Sequence, residues 1–125
     1  MDSQLHPKIS VRLFTDEKCF GPGIAALLRR VKVYHSLRSA AASMGMAYSK
    51  AWTVLKSCEE HLGFKLVLST VGGRNGGGAT LTDNAERMLA AYDEYCAELN
   101  AYADTLLEEK FSFYQELTTD EGQQL

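Results

Sequence analysis

A chain of 125 residues with 46% hydrophobic content bounds one domain with a modest core, not two domains and a separate sensor. No apolar run approaches the roughly 20 residues of a membrane span, and the N-terminus, MDSQLHPK, has no apolar h-region, so neither membrane insertion nor secretion is expected. The net charge of −3 looks wrong for a partner of nucleic acid until it is divided: residues 8–82 hold eleven Lys/Arg against four Asp/Glu, a net +7, and residues 83–125 hold two against eleven, a net −9.

Residues 1–7 read as an N-terminal tail. From Lys8 the chain alternates, with Ile9, Val11 and Leu13 on one side and Ser10 and Arg12 on the other, which predicts a half-buried strand. Thr15-Asp16-Glu17 turns it back through Lys18-Cys19-Phe20. Gly21-Pro22-Gly23 then places a proline in the first turn of a helix, where its missing N–H does no harm. Ile24, Leu27, Leu28 and Val31 form that helix's buried stripe, ending near His35. Arg29, Arg30 and Lys32 lie off the stripe and are read either as phosphate contacts or as solvated surface.

The stretch Ser36–Gly63, SLRSAAASMGMAYSKAWTVLKSCEEHLG, predicts a short helix, a glycine turn and a longer helix. Ser36 suits the first cap, and Gly45 supplies a turn that a side chain would obstruct. Leu37, Ala40, Ala41 and Met44 make one buried face. In the longer helix Ala51, Val54, Leu55, Cys58 and Leu62 fall within roughly 100° of arc. The opposite arc carries Ser49, Lys50, Thr53, Lys56 and Ser57, with no carboxylate among these five, a face suited to lie against DNA. Tyr48 and Trp52 share the edge between the two arcs. Tyr48, nearer the helix start, is the better phosphate contact, and Trp52 is expected to wedge the helix onto its scaffold.

Lys65-Leu66-Val67-Leu68 reads as a strand. The excursion TVGGRNGGGATL that follows predicts a β-hairpin with a glycine-rich tip carrying Arg74. It lacks the Gly-Lys-Ser/Thr ending of a nucleotide phosphate loop. Thr82 caps the last helix, with Asp83 and Glu86 in its first turn. There Ala85, Leu89, Tyr92, Cys96, Leu99, Ala103 and Leu106 are spaced 4,3,4,3,4,3, a heptad seam beside a second row of Met88, Tyr95 and Tyr102. So wide an apolar face on so long a helix predicts pairing with a second copy, and Phe111, Phe113, Tyr114 and Leu117 extend it. Residues 118–125 are expected to be disordered.

Catalytic signatures are missing. His6, His35 and His61 are scattered, and the cysteines, Cys19, Cys58 and Cys96, match no Cys-x-x-Cys or Cys/His metal spacing. Reduced thiols in a cytoplasmic protein that is not an enzyme, with no metal and no cofactor, are the expectation.

The motifs GMAYSKAW and TVGGRNGGGATLT, with Phe20-Gly21-Pro22-Gly23 before the first helix, carry a resemblance that covers about residues 8–107. The chain resembles the winged-helix N-terminal domain of ModE-type molybdenum-dependent transcriptional regulators, relatives of the LysR-type DNA-binding domain. The resemblance implies a homodimer formed through the long C-terminal helix, with the second helix of each motif in a major groove and each wing beside it. Three positions depart from the pattern. Ala47 stands where the family has a capping Ser, Ser49-Lys50 displaces the cation after the Tyr by one residue, and Leu68-Ser69 replaces a Glu-Arg pair before the wing. The sequence also stops short of any molybdate-binding domain, so no molybdate site is expected within it.

The fold expected is therefore mainly α with small β-hairpins, a winged helix-turn-helix over residues 8–82 with a long dimerisation helix over 83–117. The function expected is that of a homodimeric, sequence-specific transcriptional regulator bound to double-stranded DNA. The alternative is a winged-helix module that binds a partner protein and no DNA. Arg38, Tyr48, Ser49, Lys50, Thr53, Lys56 and Arg74 are the expected DNA contacts. Leu89, Tyr92, Cys96, Leu99, Ala103 and Leu106 are the expected dimer interface.

Overall fold

The computed structural model describes residues 4–70 and 77–118. In chain order the elements are β1 (Leu13–Phe14), β2 (Lys18–Phe20), α1 (Pro22–Tyr34), α2 (Leu37–Ser43), α3 (Tyr48–Leu62), β3 (Val67–Thr70), β4 (Gly78–Leu81) and α4 (Asp83–Lys110). Strands β1 and β2 form one antiparallel hairpin, and β3 and β4 another. The architecture is a mainly helical winged helix-turn-helix with a long last helix. Ser10–Asp93 is one compact unit; Met1–Ile9 and Glu94–Leu125 contribute a second.

Within Ser10–Asp93 the core is built on α1. Ile24, Ala25, Leu27, Leu28 and Val31 are all buried, and α2, α3 and β4 pack against the same helix. Each such aliphatic side chain contributes about 1.5–3 kcal/mol by leaving water. α1 begins with Pro22 in its first turn and ends on His35 in the left-handed conformation, φ 57°. That kink presents the His35 carbonyl to the Ala79 N–H, 2.9 Å away, and fastens β4 to the end of α1.

The first strand is shorter than its alternation predicts. Only Leu13 and Phe14 pair with β2, through an irregular register, and Ile9 is exposed. The reason lies in where the backbone bonds go: the Val11 carbonyl accepts from the Tyr92 hydroxyl at 2.7 Å, not from a strand neighbour. Tyr92 also packs edge-on to Phe20, with ring centroids 5.1 Å apart. The second hairpin likewise starts late, at Val67, because the N–H groups of Leu66 and Val67 donate to the Glu59 carboxylate. Its register pairs Val67 with Leu81 and Thr70 with Gly78. A Cβ on Gly77 would fall on the Thr70 carbonyl oxygen, so the glycine there is required by close approach.

The helix-turn-helix follows the sequence closely. Ser36 accepts from the Ser39 N–H at 3.0 Å and caps α2, Gly45 takes φ 67° in the turn, and Ala40 and Ala41 are buried. Ala47 occupies the cap position of α3 with extended backbone and no side-chain bond. Thr82 caps α4, accepting from the Ala85 N–H and donating to the Lys65 carbonyl.

The heptad positions of α4 fall in two settings. Leu89 and Tyr92, read from the heptad as interface between copies, are each only 6% exposed inside Ser10–Asp93. They complete the domain's own core. In the second unit Cys96, Leu99, Ala103 and Leu106 are half-buried, while Tyr95 and Tyr102 stand in solvent. Thr118, placed in the disordered tail by sequence, belongs to a last helical turn over 114–118; residues 119–125 lie outside the described residues.

The two caps give opposite expectations in urea unfolding. Ser36→Ala is expected to lower stability by about 1 kcal/mol, and Ala47→Ser, which restores a side-chain acceptor to an N-cap already in extended conformation, to raise it by a similar amount.

Candidate nucleic-acid interface

Ser49, Lys50, Thr53 and Ser57 project from α3 into solvent, and Lys56 is half-buried on the same side. The helix is held from behind by Ala51, Leu55 and Cys58. Amphipathic spacing therefore does two things: it anchors one arc and leaves the other facing outward, its first three turns without a carboxylate and Glu60 exposed in the last.

The hydrogen bonds limit what this arc can read. The Thr53 hydroxyl donates to the Ser49 carbonyl one turn earlier, at 2.9 Å. Its proton is thus engaged, leaving lone pairs and a methyl group for a base edge. Lys50 keeps all its donors.

Two cation–aromatic pairs flank a groove of about 320 Å³ between α3, the start of α2 and the second hairpin. The Arg38 guanidinium lies 4.2 Å from the Tyr48 ring centroid, and the Lys56 ammonium 5.5 Å from that of Trp52. Ser36, Ser69 and Gly78 complete the walls. Stacked this way, each cation keeps an outward-facing charge at reduced conformational freedom. The structure corrects the reading of Trp52 as a wedge: the indole is 48% exposed, and its ring serves Lys56 and the groove instead. Arg74 lies outside the described residues.

Ion pairing sorts the remaining cations. Arg29 pairs with Asp93 and Lys32 with Glu86, both on α4. Arg30 donates to the Ser43 carbonyl and hydroxyl, bracing α2. These three have structural partners, whereas Arg38 and Lys50 have no carboxylate partner among the described residues. Sequence reasoning had left the α1 cations open between phosphate and solvent, and neither alternative foresaw internal pairing. It also missed Glu59, a buried carboxylate 3.3 Å from the Lys56 ammonium. Its place on α3 was the available signal, since Glu59 follows Leu55 by four residues and so borders the apolar arc.

Among the described residues no group of three or more His, Cys, Asp or Glu is placed to hold a metal ion, and no helix is long and apolar enough to cross a membrane. Burial, joined by the nearby Cys19 thiol and opposed by Lys18, pushes the Cys58 thiol up from 9.0 to about 11.

Fold and exposed helix together define the winged helix-turn-helix class of DNA-binding domains. Residues 25–86 match the family described as bacterial regulatory helix-turn-helix protein, lysR family, and the chain carries the helix-turn-helix DNA-binding domain of ModE-type transcriptional regulators. It is 34% identical over 86 residues to the transcriptional regulator ModE of Haemophilus influenzae, which covers 69% of this chain and 32% of that protein. Against the Yersinia pestis ModE regulator it is 32% identical over 99 residues, covering 79% and 36%. Against the molybdenum-pterin-binding protein MopB of Rhodobacter capsulatus it is 36% identical over 67 residues, covering 54% and 25%. The chain spans a quarter to about a third of the length of these curated relatives.

The raised Cys58 pKa carries a sign. A thiol whose folded pKa exceeds its unfolded value favours the fold fully below the unfolded pKa, and that contribution disappears as pH rises from about 9 to about 11. Iodoacetamide at pH 8 is therefore expected to modify half-buried Cys96 readily, and Cys19 and Cys58 only as the chain unfolds. Mass spectrometry of the alkylated protein with and without urea checks this.

Proposed function

We propose that this protein is a sequence-specific transcriptional regulator that binds double-stranded DNA as a homodimer. The observation that carries the reading is the outward arc of α3. It offers the hydroxyls of Ser49, Thr53 and Ser57 and the exposed Lys50, which like the nearby Arg38 has no carboxylate partner among the described residues; Glu60, in the last turn, is the arc's one carboxylate. In this reading Ser49, Lys50 and Thr53 contact base edges in a major groove, and Arg38, Tyr48, Lys56 and Arg74, from the glycine-rich stretch of the sequence, hold phosphates. The H. influenzae and Y. pestis relatives bear the name of transcriptional regulator. No molybdate site is proposed within these residues.

The dimer is proposed through the part of α4 beyond Asp93, where Cys96, Leu99, Ala103 and Leu106 lie beside the exposed Tyr95 and Tyr102. Exposed Phe111, Phe113 and Leu117 continue the apolar surface. Two α3 helices related by a twofold axis then reach half-sites about one DNA turn apart, roughly 10–10.5 base pairs, or a multiple of it.

DNA titrations at varied ionic strength test the footprint. With about six phosphates neutralised per half-site, log K should fall against log salt with a slope near −5 for each half-site engaged, roughly −11 for the dimer; a slope near −1 would sink the proposal. Lys50→Ala is expected to cost about 1–3 kcal/mol on the preferred site and to relax sequence preference, whereas Arg38→Ala or Arg74→Ala weakens all sequences about equally. Tyr102→Glu should shift sedimentation from dimer to monomer while leaving the circular dichroism of the fold intact.

A further inference from the structure

The Glu59 carboxylate is 8% exposed, on the buried side of α3, yet its two oxygens face different elements. Oε1 lies 3.3 Å from the ammonium of Lys56, one turn earlier on the same helix. Oε2 accepts from the Leu66 N–H at 2.8 Å and the Val67 N–H at 3.2 Å, the two amides that lead into the wing's first strand. A buried carboxylate costs free energy unless charge and hydrogen bonds satisfy it, and here both oxygens are satisfied, each by an element of the DNA-facing groove.

From this geometry we infer that Glu59 is a positioning residue for DNA binding: it holds Lys56 against Trp52 and sets the wing at a fixed distance from α3, so that one carboxylate couples helix and wing. The inference rests on the DNA-binding role proposed above. Lys56 is a long, rotamer-rich side chain, and ordering it before DNA arrives removes part of the entropy that phosphate contact would otherwise consume. Glu59 confines the ammonium from below and the indole confines it from the side, leaving its remaining N–H donors toward the groove. The wing gains from the same anchor. Leu66 and Val67 begin β3, and Val67 and Ser69 line the groove with Lys56 and Trp52.

The protein contains a single tryptophan, and it is the one beneath Lys56. Its emission therefore reports the position of that ammonium directly. Glu59→Gln keeps an oxygen for the two amides and removes the charge that holds Lys56; Lys56→Met removes the cation. In the free protein both variants are expected to change Trp52 emission in the same direction. Both are expected to lose affinity for duplex DNA, Glu59→Gln by about three- to tenfold, the range for one side chain that must be ordered on binding. In the Lys56→Met background Glu59→Gln should cost little more, because the two act as a unit.

Equal affinity of Glu59→Gln and the unaltered protein, with unchanged emission, would leave Glu59 a merely structural residue and overturn the inference. A gain in affinity would overturn it too, by making the carboxylate a competitor of phosphate for Lys56. These outcomes are distinct from failure of the DNA-binding reading itself, in which the unaltered protein shows no salt-sensitive binding to duplex DNA.

Discussion

The burial of one stripe on α1 is the constraint on which the DNA-facing surface depends. α2, α3 and β4 share that helix as their packing surface, and Leu28, Val31 and Ala25 on it are fully enclosed. Interiors at this density do not tolerate a shifted helix, because a displaced side chain forfeits its contacts on one side. The angle between α2 and α3 is therefore a property of α1's stripe as much as of the Gly45 turn. His35 adds the wing to the same base, since its left-handed backbone turns a carbonyl toward β4. A reading helix, its partner and the wing thus have one common reference.

Charge is organised on the same plan. The overall −3 conceals a basic half and an acidic half, and within Ser10–Asp93 the acidic start of α4 meets the cations of α1. Both pairs, Arg29 with Asp93 and Lys32 with Glu86, are largely solvent-exposed and add little to stability. Their larger effect is on the field. They cancel charge on a face that would otherwise compete for phosphate, and leave Arg38 and Lys50 without a carboxylate partner among the described residues. Within Ser10–Asp93 the acidic start of α4 is thus engaged by α1, through Glu86 and Asp93.

Periodicity made the helices legible because burial here follows the wheel: Ile24, Leu27, Leu28 and Val31, then Ala40 and Ala41, then Ala51, Leu55 and Cys58 are the buried positions. Caps and turns were legible for a similar reason, since Ser36, Gly45 and Thr82 act through local geometry that a few residues encode. What sequence could not supply were bonds between distant segments. Alternation predicted a strand from Lys8, but whether Val11 pairs with a strand or with Tyr92, 81 residues away, depends on the assembled fold. The heptad on α4 was real as a spacing, yet spacing does not say which copy covers it. Leu89 and Tyr92 are covered by their own domain, and the pattern continues past Asp93 without a break in period. Glu59 was hidden for the opposite reason: an acidic residue at the edge of an apolar arc reads as surface until the amides of Leu66 and Val67 are found against it.

On the arc of α3 proposed to read DNA, exposure leaves residue identity free of packing. Ser49, Lys50 and Thr53 have no role in the core, so packing does not constrain their identity, and substitution there changes what is read without disturbing how the helix is held. The bond from Thr53 to the Ser49 carbonyl narrows the outcome further. Thr53 offers a base only acceptor lone pairs and a methyl, which suits an adenine or cytosine amino group or a thymine methyl. Lys50, one residue from the family's position for its cation, points about 100° around the helix from it. A guanine edge contacted from the family's position would then face Ser49 instead, and the cation would meet a neighbouring base or strand.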